Sequence, residues 1–229
     1  MVLKSVAIPC TFDDLKNTNV KKQSFPYRDF RSQVGGGWEN VYQPVRERMD
    51  KLLTSNAPVV FEGLGCIRCS NIGWIFSHLA RLLGAPLVWK QGEDVKTVVT
   101  VAPTKNNLRC WHRSFIFPDG SRQLVQTSKV MDSRLGFIDA VGANGEGRLA
   151  TKMRVWSKDK SLFFSSGLYL LRFGSLNISI PSILTPGTLY AEHRDLGGGS
   201  FRYILKFTHP IWGETFYQDG VFHMVESAN

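Results

Sequence analysis

The segment Leu108-Arg-Cys-Trp-His-Arg-Ser-Phe-Ile-Phe117 runs into Pro118-Asp-Gly120, and Gln123-Leu-Val-Gln-Thr-Ser-Lys-Val130 follows it. Apolar and polar side chains alternate on either side of a tight-turn signal, which predicts two antiparallel strands joined by a hairpin. The pattern repeats outward from this point. Val95–Val101 precedes it, and Leu135–Val141, Lys152–Trp156, Ser161–Phe173, Leu176–Ile180, Thr188–Asp195, Phe201–Thr208 and Glu214–Val225 follow, separated by glycine-rich or proline turns. About ten short strands in series rarely stay flat; they curl into a barrel or fold into a sandwich. The expected fold is therefore mainly β (α+β): a curved antiparallel meander from about Leu87 to Val225, forming a barrel or half-barrel in one β-rich domain, 25–229.

Two helices are expected ahead of the sheet, plugging one end or covering one face. The first runs from Tyr42 or Gln43 to Leu53, with Pro44 tolerated in its first turn. Ser70 or Asn71 caps the second, and Gly84 and Pro86 stop it. Its apolar positions Ile72, Ile75, Leu79, Leu82 and Leu83 read as the buried stripe. Val59-Val60-Phe61 is a short apolar stretch, Gly35-Gly36-Gly37 a break, and residues 1–24 a polar N-terminal arm.

The 229 residues carry 28 basic and 19 acidic side chains, a formal charge of +9. The excess is dispersed, with no basic run longer than Lys21-Lys22 and no nucleic-acid recognition motif, so a nucleic-acid partner is not expected. No apolar run is long enough for a helical membrane span, and the first residues do not form a secretory signal, so the expected location is cytoplasmic. Cys66-x-x-Cys69 lacks a second ligand pair, which argues against zinc, and a disulfide is not expected there. Walker, G-x-G-x-x-G, G-x-S-x-G and H-E-x-x-H patterns are all missing, and no cofactor is expected.

Alternation sorts the polar groups by face. Trp111, Arg113 and Phe115 share one face of their strand, which places a guanidinium among aromatic rings, where it requires an anion. On Thr188–Asp195 the set Tyr190, Glu192, Arg194 opposes Leu189, Ala191, His193, Asp195, and either set fits the inside. Glu192 is the natural partner for Arg113, and the two are expected within about 4 Å of each other. Tyr190, Tyr203, His193, Tyr217 and His223 are the further candidate binding groups.

The second half also carries an ordered series: Trp111-x-Arg113-x-Phe115, Pro181-x-x-Leu184-x-Pro186, Glu192, Phe201-x-Tyr203, His209-Pro210-x-x-Gly213 and Tyr217-x-x-Gly220. It resembles an uncharacterised domain family that in bacteria is often fused behind a saccharopine-dehydrogenase-like reductase. Gly63, Gly65 and Leu83-Gly84-x-Pro86 extend the resemblance to about residues 27–225. It implies a compact β-rich domain and no assigned activity. No reductase half accompanies this chain, so it is expected to act alone or with partners in trans. Where an acidic residue would precede the tryptophan, the chain has Arg109-Cys110.

The functional expectation is a cofactor-independent enzyme acting on a lipophilic small molecule, polyketide- or terpenoid-like, in an aromatic-lined cavity. Glu192 and Arg113 would supply acid/base chemistry for isomerisation, cyclisation or dehydration. The alternative is a non-catalytic carrier for a hydrophobic metabolite or lipid, and a homodimer is also weighed.

Overall fold

The computed structural model describes residues 27–225, apart from 105–107, 133–134, 143–146 and 175. The polar arm of residues 1–24 and Cys10 lie outside the described residues. Eleven strands form one sheet: β1 (Val59–Cys69), β2 (Gly92–Pro103), β3 (Arg109–Ile116), β4 (Arg122–Asp132), β5 (Gly136–Val141), β6 (Leu149–Lys158), β7 (Ser161–Phe173), β8 (Leu176–Ile180), β9 (Thr188–Gly197), β10 (Ser200–His209) and β11 (Gly213–Val225). Every pairing is antiparallel. Strands β1 to β7 and then β9 to β11 follow one another around a ring, and β1 pairs with β11 to close it. The first part of β7 pairs with β9, while its last part carries β8 as an extra strand outside the ring. The expected barrel is thus a closed one of ten strands, wider than the eight that side chains alone fill.

Inner positions are mostly apolar and outer ones carry exposed ion pairs such as Lys96–Glu62 and Arg202–Asp219. A barrel embedded in lipid has the reverse arrangement. None of the described helices is long and apolar enough to cross a membrane.

Strand β1 is an addition to the expected sheet. Gly63 and Gly65 interrupt its β-forming pattern but are needed there. A Cβ on Gly65 would stand 2.1 Å from the Asp219 carbonyl oxygen, and one on Gly63 would stand 2.4 Å from the Phe222 ring. Cys66 and Cys69 fall at the end of this strand, opposite Asp219 and Phe216 respectively. Three residues apart, they face opposite sides at roughly 10 Å, beyond the Cα separation a disulfide spans. Both thiols are free.

Three short helices, one more than expected, close the barrel. α1 (Tyr27–Val34) leads through a 3-10 turn (Gly35–Asn40) into α2 (Gln43–Thr54). Phe30, Trp38, Val45, Met49, Leu52 and Leu53 bury themselves against Phe61, Phe137, Met153 and Phe201 of the barrel. α3 (Asn71–Leu82) follows β1 directly, with the Ser70 hydroxyl accepting from the Gly73 amide. Because α2 precedes β1 and α3 succeeds it, the two helices sit at opposite ends of the barrel, not together at one.

The expected buried stripe of α3 is reversed. Gly73, Phe76, Ser77 and Ala80 face the barrel, while Ile75, Leu79, Leu82 and Leu83 are exposed. Close approach is the reason: a Cβ on Gly73 would lie 1.9 Å from the Thr215 carbonyl oxygen, so only the small-residue face fits.

Arg109 has a structural task at the other end. Buried, it donates from Nε to the Leu53 carbonyl (2.9 Å) and from Nη1 to the Ser55 carbonyl (2.6 Å), satisfying acceptors that the end of α2 leaves open. Arg109→Met is expected to destabilise the protein by about 2 kcal/mol in urea titration, the scale of lost charged hydrogen bonds. An unchanged midpoint would show that the cap is dispensable.

Candidate functional site

The barrel encloses a cavity of ≈ 210 Å³, counted as space open to the centre of a water molecule. One water needs roughly 10–15 Å³ on that measure, so this is a chamber and not a packing defect. Its wall runs from Met49 and Leu52 of α2 to Gly73 and Ser77 of α3, and most of it is aromatic or aliphatic.

Polar groups converge on one side. Cross-strand pairing sets Trp111 opposite Thr127 and Lys129 opposite Asp139, all on inner positions of β3, β4 and β5. Arg113 donates from Nη1 to Thr127 Oγ1 at 3.1 Å. Lys129 forms an ion pair with Asp139 and lies 5.3 Å from the centre of the Trp111 ring. Tyr203 on β10 lines the same chamber, where the Arg113 charge opposes the rise of its phenol. Burial pushes the Lys129 ammonium below its ordinary value, with Asp139 opposing the shift, and burial raises the Tyr203 phenol. Asp139 Oδ1 and, elsewhere on the wall, Gln218 Oε1 have no hydrogen-bond partner among the described residues. Such atoms are costly to leave unmatched, by about 1–3 kcal/mol each.

Five of the nine expected site residues line this chamber: Trp111, Arg113, Phe115, His193 and Tyr203. The other four are corrected to the outside. Inner positions of β9 are Leu189, Ala191 and His193, so Glu192 and Tyr190 point outward. Glu192 pairs with Arg194 (2.6 Å), and Tyr190 packs beside Lys206. The Arg113–Glu192 pair therefore does not form; Asp139 supplies the carboxylate of the cluster. On β11 the inner residues are Phe216, Gln218 and Phe222. Tyr217 lies outside beneath Arg68 and donates to Asp219 (3.0 Å), and His223 is exposed on the same face.

Lys129 and Asp139 escaped the sequence reading because both faces of β5 are apolar enough to be inside. A signal was present in Val125-x-Thr127-x-Lys129 and Phe137-x-Asp139-x-Val141, two mixed stripes on either side of one turn. Counting outward from that turn pairs the lysine with the aspartate.

His193 belongs to a second polar group beside α2. Its ring stacks on Phe201 (4.3 Å, 7° between planes), and Arg48 packs on the Phe201 ring as well. Arg48 Nη1 donates to His193 Nε2 (2.9 Å) and Nη2 to Asp195 Oδ1 (2.8 Å), with both members of the ion pair almost fully buried. Burial and the neighbouring guanidinium push His193 down to about 3, so the ring is neutral. Among the described residues, no group of three or more His, Cys, Asp or Glu side chains is placed to hold a metal ion.

No curated protein and no solved structure matches the chain. A family profile does match, over residues 42–222 and thus most of the barrel with α2 and α3, and the chain belongs to that family, the domain of unknown function DUF4166.

Proposed function

We propose that the barrel binds a lipophilic small molecule of polyketide or terpenoid type, with its oxygen-bearing end on Arg113, Lys129 and Asp139. The supporting observation is the composition of the chamber, in which the half-buried Arg113 guanidinium, the Lys129 ammonium and the Asp139 carboxylate share a mostly apolar wall. The local excess of positive charge favours an acidic oxygen on the ligand, and the unmatched Asp139 Oδ1 favours a hydroxyl beside it. The apolar remainder takes the carbon skeleton. Arg113→Met is expected to weaken binding of long-chain carboxylic acids about tenfold, the worth of one charge-assisted contact, and to leave the matched alcohols nearly unchanged. Calorimetric titration of both series decides it: equal loss for acids and alcohols, or no binding of either, defeats the reading.

A catalytic version of the same reading rests on one observation. Lys129 is a buried amine beside a carboxylate, with its ammonium form disfavoured, as proton-transfer groups in isomerases and cyclases are. In this version Lys129 and Asp139 take the acid/base role expected of Glu192. Lys129→Met would then abolish turnover of a bound polyketide-like substrate, while Glu192→Gln would not affect it.

A further inference from the structure

The outer face of α3 has no partner among the described residues. Trp74, Ile75, Leu79, Leu82 and Leu83 are exposed along it, with Leu82 at 83 % the most open large apolar side chain. Neighbouring turns extend the surface. Phe76 stacks on His209, which stacks on Trp212 and hydrogen-bonds the Ile183 carbonyl, so exposed Ile183, Leu184, Ile211 and Trp212 join the same end of the barrel. Among the described residues the opposite end has nothing comparable: Tyr42, Leu196 and Val225 are its scattered exposed large apolar side chains. A soluble monomer rarely shows so many large apolar side chains together.

The surrounding charge identifies what covers this face. Arg81 lies on α3 itself. Ala80 belongs to one buried cluster with Ala85, Val141 and Leu149, which places the helix end at the end of the barrel where β6 starts and where Arg148 is exposed. Of the carboxylates at this end of the barrel, Asp119 and Glu214 are held by Lys90 and Arg68, and Glu93 and Asp94 at the start of β2 are exposed, so the positive excess is concentrated on the side of α3 that carries Arg81. A leucine-rich helix face edged by tryptophan and arginine matches the interfacial zone of a membrane, with rings and arginines at headgroup level and leucines among the acyl chains. The opposite side of the same helix, at Gly73 and Ser77, lines the chamber. We propose that α3 docks the barrel on the surface of a phospholipid membrane bearing anionic headgroups, so that the helix lies between the bilayer and the chamber. The inference stands apart from the ligand reading, since vesicles without any chamber ligand test it.

The test is flotation with vesicles of phosphatidylcholine and phosphatidylglycerol, roughly 2:1, against vesicles of phosphatidylcholine alone. The wild-type chain is expected to float with the anionic vesicles, more weakly at high salt. Leu79→Glu with Leu82→Glu should lower the partition coefficient about tenfold or more. Leu196→Glu, at the far end of the barrel, should leave it unchanged. Both sites are exposed, so unaltered thermal melts verify folding. Failure of the wild-type chain to float overturns the proposal, as does flotation that survives the double change. A wild-type dimer in light scattering that the double change dissolves, without flotation, assigns the face to a second copy and overturns it too.

Discussion

Asp139→Ala should destabilise the protein by roughly 3–5 kcal/mol, the cost of leaving a buried charge without its counterion. Lys129 is sealed in the barrel against Asp139, and Arg113 adds a second cation on the same wall. Without the carboxylate, the two positive groups face each other in an apolar chamber. The partner experiment is Asp139→Ala combined with Lys129→Met. Replacing both members of a buried pair by apolar groups is often nearly neutral, so the double change should recover most of the loss. Urea unfolding of the three variants measures it. A single-change cost below about 1 kcal/mol, or a double change no better than the single, would falsify the assignment of Asp139 as the counterion.

Arg48→Ala should cost a similar amount, roughly 3–5 kcal/mol at neutral pH, because Asp195 loses its partner almost out of reach of water. The arginine also bridges α2 to His193 and Phe201 on the barrel wall, so its loss frees the helix that closes that end. Acid reports on the same contact. His193 is neutral in the fold with its pKa near 3, against about 6.5 when unfolded, so the unfolded chain takes up the extra proton below pH 6.5. Stability is thus full above that value and declines as pH falls toward 3. From pH 7 to pH 5 this one ring should account for about 2 kcal/mol of loss. In Arg48→Ala the repelling guanidinium is gone, the ring protonates more readily in the fold, and the pH dependence flattens. Equal slopes in the wild type and the variant would remove Arg48 as a cause of the shift.

Strand-by-strand, the sheet was readable because each turn announced itself. Ser161–Phe173 and Leu176–Ile180 end where their glycine and proline signals place them, and the Pro118-Asp-Gly120 hairpin sets β3 against β4. The sequence reading failed where packing between elements outweighed local pattern. α3 turns its leucines away from the barrel because the Thr215 backbone admits nothing larger than glycine at position 73, a fact of distance that no helical periodicity contains. β1 is absent from the expected sheet because Gly63 and Gly65 look like breaks after the short apolar stretch Val59–Phe61 when the strand on which they pack is unknown. At Glu192, alternation offered two faces with an ionisable residue on each. The deciding fact was that Arg194 and Arg202 are near it on the outside. Arg113 is legible as a cation on the inner face, but the nearby carboxylate is Asp139 on β5 and not Glu192 on β9.

The pairing of β1 with β11 has a consequence in time. Val60 sits beside Val225 and Cys69 beside Phe216, partners separated by nearly the whole described chain. During synthesis β1 is made early and has β2 on one flank, but its other flank stays open until the last strand emerges. Until then the nascent sheet has two unsatisfied edges, β1 and β10, and a greasy concave side with no enclosure. Closure is a single late event that joins remote segments, the kind of step that makes folding slow. A chain cut short before β11 would keep nine of its ten ring strands and still have no barrel.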